Sequence, residues 1–200
     1  TKSTKLSITI VVLGSSKIKP ILRRTCMLND DIYVTGNIGD SFLGLGIIKK
    51  KFNFGKLNKF FLKSFYEPEL PLKLQPYLHK IANSSIDISD GLLQDLSHIC
   101  FFKKLGAIIY LKKIPLSFSS RYLVNSGKIK VKNIFSRGDD YQFLFTSNPN
   151  NRKKINNLSK KISLKITRIG KINNHRNITF KDNDEIFDAR SIKMGYIHNF

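Results

Sequence analysis

The sequence has no tryptophan, two methionines, two cysteines and few acidic residues, with 14 Asp and Glu against 35 Lys and Arg. Two cysteines, Cys26 and Cys100, cannot build a disulfide framework, and no paired Cys or His spacing matches a structural zinc site. A reducing, cytoplasmic setting suits that usage. Long apolar runs are also missing. Nothing approaches the roughly 20 residues that cross a bilayer as a helix, so no membrane partner is expected. The start, Thr1 to Ile10, lacks the apolar block of a secretory signal. It also lacks an initiator Met, and the chain reads as a piece of something longer.

What is present suffices for a core. Of 200 residues, 41% are hydrophobic and 11% aromatic, which excludes wholesale disorder. The length suits one domain, or one domain plus part of another. The net charge of +21 is what a nucleic-acid binder would carry, because Lys and Arg neutralise phosphate. Only eight of the basic residues are Arg, however, and the lysines are spread along the whole chain beside abundant Asn and Ile. A compositional drift toward residues with A- and T-rich codons explains that spread without a ligand. Charge by itself speaks to partners and solubility, not to fold.

Leu6–Leu13 is rich in β-branched residues and predicts a strand buried on both faces. Asp31–Thr35 predicts a second strand, and Asp40–Lys50 a helix in which Gly44 and Gly46 ask for close packing or ligand approach. Leu57–Tyr66 and Leu72–Ala82 suit helices. A strand at Ser85–Ser89 leads through Asp90-Gly91 into a helix on which Leu92, Leu96, Ile99 and Cys100 share a face. A buried strand at Ala107–Leu111 and a short helix within Pro115–Gly127 follow. Beyond these come a strand at Tyr141–Thr146, a polar helix at Asn151–Ile162, and closing strands at Leu164–Ile172 and Asn177–Phe180. The fold class is α+β, a mixed sheet with packed helices.

Chemistry concentrates at Asp87-Ile88-Ser89-Asp90-Gly91. Strand alternation puts Asp87 and Ser89 on one face and Ile86 and Ile88 toward the core. Asp90 falls at the turn, and the helix end that follows favours phosphate. Carboxylates beside an anion site make sense with a divalent cation between them. The alternative is that Asp90 caps the helix, which leaves Asp87 idle. Ser136-Arg137-Gly138-Asp139-Asp140-Tyr141 repeats the pattern before an apolar strand, although a plain polar turn would look the same. Arg23-Arg24 suits a phosphate clamp or a solvated pair. His79, His98, His175 and His198 show no metal spacing and take no role.

The run Ser85-Ile86-Asp87-Ile88-Ser89-Asp90-Gly91-Leu92-Leu93-Gln94-Asp95-Leu96 resembles the A-I-D-I-S-D-G-L-x-x-D-L signature of the thiamine-monophosphate kinase family, within the aminoimidazole-ribonucleotide synthetase superfamily. Four further stretches match in order. Thr1-Lys2-Ser3 with Leu6–Thr9 resembles the end of its G-G-D-T-T-[KR]-S region. Leu22–Thr25 through Asn29–Gly36 is similar to its L-R-R-S-G-A-x-P-G-D-D-I-x-V-T-G. Ser136–Thr146 resembles S-G-G-E-D-Y-E-L-L-F-T, and Gly195–Phe200 echoes a terminal G-Y-D-H-F. Three positions depart from the pattern. Arg137 replaces Gly, Asp139 replaces Glu, and Gln142 replaces another Glu.

The resemblance implies ATP-dependent phosphorylation of thiamine monophosphate to thiamine diphosphate with Mg²⁺. It assigns Mg²⁺ to Asp87 and Asp90, ATP to Ser89 and Arg24, and thiamine-phosphate recognition to Asp139 and Tyr196. It also implies the superfamily's carboxy-terminal ATP-binding domain at residues 17–200. Residues 1–16 would then be a remnant strand of an amino-terminal domain whose missing part forms a homodimer, leaving this piece inactive alone. The second function class is a non-catalytic basic module for nucleic acid. The aromatics that would stack on bases, such as Phe143 and Phe145, are expected in the core, which weighs against it.

Overall fold

A computed structural model describes residues 8–135 and 137–189. Its seven strands are β1 (Asp31–Thr35), β2 (Ser84–Asp87), β3 (Gly106–Tyr110), β4 (Phe143–Ser147), β5 (Ile166–Asn173), β6 (Ile178–Asp182) and β7 (Glu185–Asp188). They form one sheet in the order β2-β4-β1-β5-β3-β6-β7, antiparallel except where β3 meets β6. The helices are α1 (Asp40–Ile48), α2 (Asn58–Tyr66), α3 (Gln75–Leu78), α4 (Leu92–Phe101), α5 (Phe118–Asn125), α6 (Val131–Ile134) and α7 (Arg152–Lys161). The mixed α+β class is as expected.

Period-two alternation on β1 explains the layering. Ile32 and Val34 face one side and join Leu144, Ile109, Ile172 and Phe180 in the main core. Tyr33 faces the other side, where it stacks on Phe145 with ring centroids 5.2 Å apart and packs with Leu78 and Ile155. Helix α4 covers the first face with Leu92, Leu93, Leu96, Ile99 and Cys100, the stripe its sequence spacing predicts. Each such side chain contributes about 1.5–3 kcal/mol when fully buried. A third apolar cluster joins Leu43 of α1, Phe61 of α2 and Leu123 of α5. A Cβ on Gly44 would strike the Phe61 carbonyl, so close helix packing is the reason for that glycine.

The structure corrects several expectations. Residues 8–13 form no strand, and Ile8, Ile10, Val11, Val12 and Leu13 are exposed. A strand needs a neighbour to satisfy its backbone N–H and C=O groups, and no strand among the described residues pairs with this one. Leu6 and Ser7 lie outside the described residues. The helix expected over Leu72–Ala82 is a 3₁₀ turn at Leu72–Leu74 followed by the single turn of α3. Helix α6 and strand β7 escaped sequence reading because each spans only four residues, too few for a period to register.

The buried Asp31 ties β1 to its neighbours. Arg152 of α7 donates to both its oxygens, at 2.6 and 2.9 Å, and Arg168 of β5 donates at 3.0 Å. Burial would raise the Asp31 pKa, but the hydrogen bonds and charges of the two guanidinium groups outweigh it and hold the carboxyl below its ordinary 3.8. A depressed acid contributes stability that is complete above its unfolded pKa and lost as pH falls through the folded one. We expect Asp31→Asn to cost about 2–3 kcal/mol at pH 7, reduced from a fully buried pair because both arginines are partly open to solvent. Urea denaturation of both proteins should show that gap narrowing toward pH 2. A gap of equal size at both pH values would contradict the assignment.

Candidate functional site

The turn after β2 is built by one side chain. Asp95, buried in the first turn of α4, accepts hydrogen bonds at its Oδ2 from the backbone N–H groups of Ser89, Asp90 and Gly91 at 3.1, 3.2 and 3.0 Å. Asp90 is therefore not the cap, and its carboxylate is left for other work. Gly91 has φ +124, a conformation that L side chains rarely adopt.

A second loop crosses this one. Asp139 N–H donates to the Ser89 carbonyl at 3.0 Å, Tyr141 N–H to the Ile88 carbonyl at 2.8 Å, and Ile88 N–H to the Gln142 carbonyl at 2.8 Å. These bonds extend the β2–β4 ladder past its last pair, Asp87 with Phe143. The crossing is tight enough that a Cβ on Gly138 would collide with the Ser89 carbonyl, and one on Gly91 would lie 2.9 Å from the Arg137 backbone. Asp139 takes φ +68 and Tyr141 φ +51. Strained non-glycine backbone of this kind persists only where the surroundings fix it.

The loop is also anchored from behind. Asp140 is buried and accepts the Gly39 N–H at 2.8 and 2.9 Å just before α1. Burial holds its carboxyl well above the usual range, the Gly39 N–H opposes this, and the neighbouring Asp40 adds to it. Thr35 Oγ1 donates to Gln142 Oε1 at 2.8 Å, and Gln142 Nε2 donates to the Glu69 carbonyl at 2.7 Å.

The carboxylates of Asp87, Asp90 and Asp139 thus gather where two chain segments cross. Burial raises the Asp139 pKa, Lys49 lowers it and Asp90 raises it again. Burial pushes Asp95 up to about 7; the N–H groups of Gly91 and Asp90 oppose the shift, and the charges of Asp90 and Asp87 add to it. In a chain with 35 basic residues, none of these four acids joins an ion pair with another described residue. Both ion pairs among the described residues are on Asp31. Unpaired hard oxygen donors crowded by like charge fit a divalent cation such as Mg²⁺, which takes one or two carboxylates and completes its shell with water or phosphate.

Of the residues singled out from the sequence, Asp87, Ser89, Asp90 and Asp139 come together. Arg24 does not touch them. It lies on an exposed turn whose neighbour Thr25 donates to the Asn83 carbonyl at 2.5 Å, at the opposite end of β2 from Asp87. Tyr196 lies outside the described residues. Sequence reading missed the framing roles of Asp95 and Asp140, and it gave His98 no role. His98 stands three residues after Asp95 on α4, and one ligand atom from each of Asp90, Asp95 and His98 lies within 4.8 Å of the others. The i, i+3 pair Asp95 and His98 was the signal available.

No family model matches the chain. Relatives do. The thiamine-monophosphate kinase of Buchnera aphidicola subsp. Schizaphis graminum is 38% identical over 177 residues, covering 86% of this chain and 54% of that protein. Among solved structures, the thiamine-monophosphate kinase of Stenotrophomonas maltophilia K279a superposes with TM-score 0.73 at 26% identity, over 80% of this chain and 52% of that one. AaThiL complexed with AMPPCP and TMP gives TM-score 0.67 at 25% identity, over 84% and 53%. The chain spans about half the length of the curated relatives it matches.

The crossing itself is testable. Gly138→Ala should lower stability by about 2 kcal/mol or more, because a methyl group has no room against the Ser89 carbonyl. Amide exchange should accelerate in both residues 88–91 and residues 138–142. Faster exchange confined to one loop would show that the two segments do not hold each other.

Proposed function

We propose, for a chain that belongs to the thiamine-monophosphate kinase family, that it supplies the metal- and nucleotide-binding part of a kinase converting thiamine monophosphate to thiamine diphosphate with ATP. The observation that carries this is the crossing of the Asp87–Gly91 and Gly138–Tyr141 segments, with three unpaired carboxylates at one place. The AaThiL complex with AMPPCP and TMP supports both substrates by relationship.

Asp87 and Asp90 would hold Mg²⁺, which when bound neutralises charge on phosphate oxygens. Ser89, between them, is the hydroxyl to contact ATP. Asp139, fixed by its N–H bond to Ser89, would contact the thiamine phosphate, aided by Tyr196. Arg24 would reach ATP phosphates from its separate turn. The acceptor is a phosphate monoester with a second pKa near about 6, largely dianionic at pH 7. It attacks in line without a general base, and no imidazole or thiol is required. The work left to the protein is positioning and charge neutralisation.

The same reading makes residues 17–200 the nucleotide-binding domain. Residues 1–16 belong with the half of the relatives' length that this chain does not span, and that half is where a homodimer would form in a cytoplasmic enzyme. The 200-residue chain alone would then bind nucleotide without turnover.

Calorimetry of a non-hydrolysable ATP analogue with Mg²⁺ should show binding that Asp87→Asn weakens at least tenfold. A coupled assay with thiamine monophosphate on the intact protein should lose turnover with the same substitution. An unaffected Asp87→Asn would reject the metal assignment. Absence of nucleotide binding, together with salt-dependent affinity for DNA or RNA, would favour the basic-module reading instead.

A further inference from the structure

We propose that His98 joins Asp90 and Asp95 in a site for a divalent transition metal, so that the chain binds ions of the Mn²⁺ kind more tightly than oxygen donors alone would allow. The proposal shares Asp90 with the metal pair of the preceding section and rests on that reading only to this extent.

Three observations carry it. The candidate ligand atoms of Asp90, Asp95 and His98 lie within 4.8 Å of one another. Adjacent ligands on one ion with bonds of about 2.1 Å are about 3.0–3.4 Å apart, so small movements of the half-buried Asp90 and His98 side chains bring the set to coordinating distance. Asp95 cannot drift, because three backbone N–H groups hold its Oδ2, while its Oδ1 has no hydrogen bond among the described residues. The Asp90 carboxylate and the His98 ring likewise have no hydrogen-bond partner among the described residues. Three donors of metal-binding type therefore converge without satisfying one another.

The donor chemistry sets the preference. Mg²⁺ favours all-oxygen shells, whereas an imidazole nitrogen beside two carboxylates suits first-row transition ions. Solvent reaches the site, since Asp90 and His98 are each partly exposed.

The test is Mn²⁺ titration of the 200-residue chain without nucleotide, followed by calorimetry and by paramagnetic broadening of imidazole protons. Mn²⁺ should broaden the His98 ring signals before those of His79 and His175. His98→Ala should weaken Mn²⁺ at least tenfold while changing Mg²⁺ affinity less than twofold, with its melting temperature confirming the fold. Broadening in wild type needs no variant, so a misfolded His98→Ala would still leave a decision. Unbroadened His98 signals at saturating Mn²⁺, or equal loss of Mn²⁺ and Mg²⁺, would overturn the proposal. If His98→Ala is silent but Asp87→Asn still weakens Mg²⁺ and nucleotide, the kinase reading stands and this one falls.

Discussion

One oxygen atom, Asp95 Oδ2, gathers the N–H groups of three consecutive residues, and the site is arranged around that. A helix begins with N–H groups that have no internal partner, and a residue immediately before the helix usually satisfies one of them. Here a residue inside the first turn reaches back past the helix start to the N–H groups of Gly91 and of the two residues before it. The turn from Ser89 to Gly91 is drawn over the start of α4, and the carbonyls of Ile88 and Ser89 are left to receive the N–H groups of Tyr141 and Asp139. The geometry of the second loop is thus a consequence of the first. Asp140, anchored at the start of α1, ties that second loop to the α1–α2 pair in turn.

The electrostatics follow from the same arrangement. Drawing Asp87, Asp90, Asp95 and Asp139 together creates like-charge repulsion that no described lysine relieves by pairing. The contrast with Asp31 is instructive. That carboxylate is buried as deeply as any, yet two arginines reach it and its pKa falls. Among the described residues, one buried acid is paired twice while the clustered acids have no ion pair, an arrangement that suits the divalent cation proposed above. Net charge therefore says little here about the partner. The +21 is spread along the chain, while the candidate site is a local concentration of negative charge.

Much of the fold was legible because its central elements are strongly periodic. Strand β1 alternates Ile32 and Val34 against Tyr33, and α4 repeats its apolar residues on one face. The Asp87–Gly91 segment could be read as a site because two acids and a hydroxyl fall where a strand becomes a helix. Residues 8–13 misled for a physical reason. β-branched composition reports a preference for extended backbone, but a strand exists only where another strand accepts its hydrogen bonds. Asp95 was overlooked although its partners lie only four to six residues away, whereas the role of Asp140 was hidden because it depends on a contact across tertiary structure. Asp140 reaches Gly39 over about a hundred residues of sequence, and no local spacing encodes that.

Two departures from the family pattern make sense within this frame. Where the pattern has Glu, Gln142 is nearly buried beside the buried Asp140, itself close to Asp40. A carboxylate at 142 would add a third charge to that crowd and could not donate to the Glu69 carbonyl, as the amide Nε2 does at 2.7 Å. Replacing the acid by its amide removes repulsion and gains a donor bond, while Oε1 still accepts from Thr35. Arg137 takes the place of a glycine without disturbing the crossing, because the glycine the crossing needs is Gly138, whose Cβ position is occupied by the Ser89 carbonyl. The pattern's two adjacent glycines are thus unequal: one is demanded by sterics, and the other is free to become a charged residue beside the crossing.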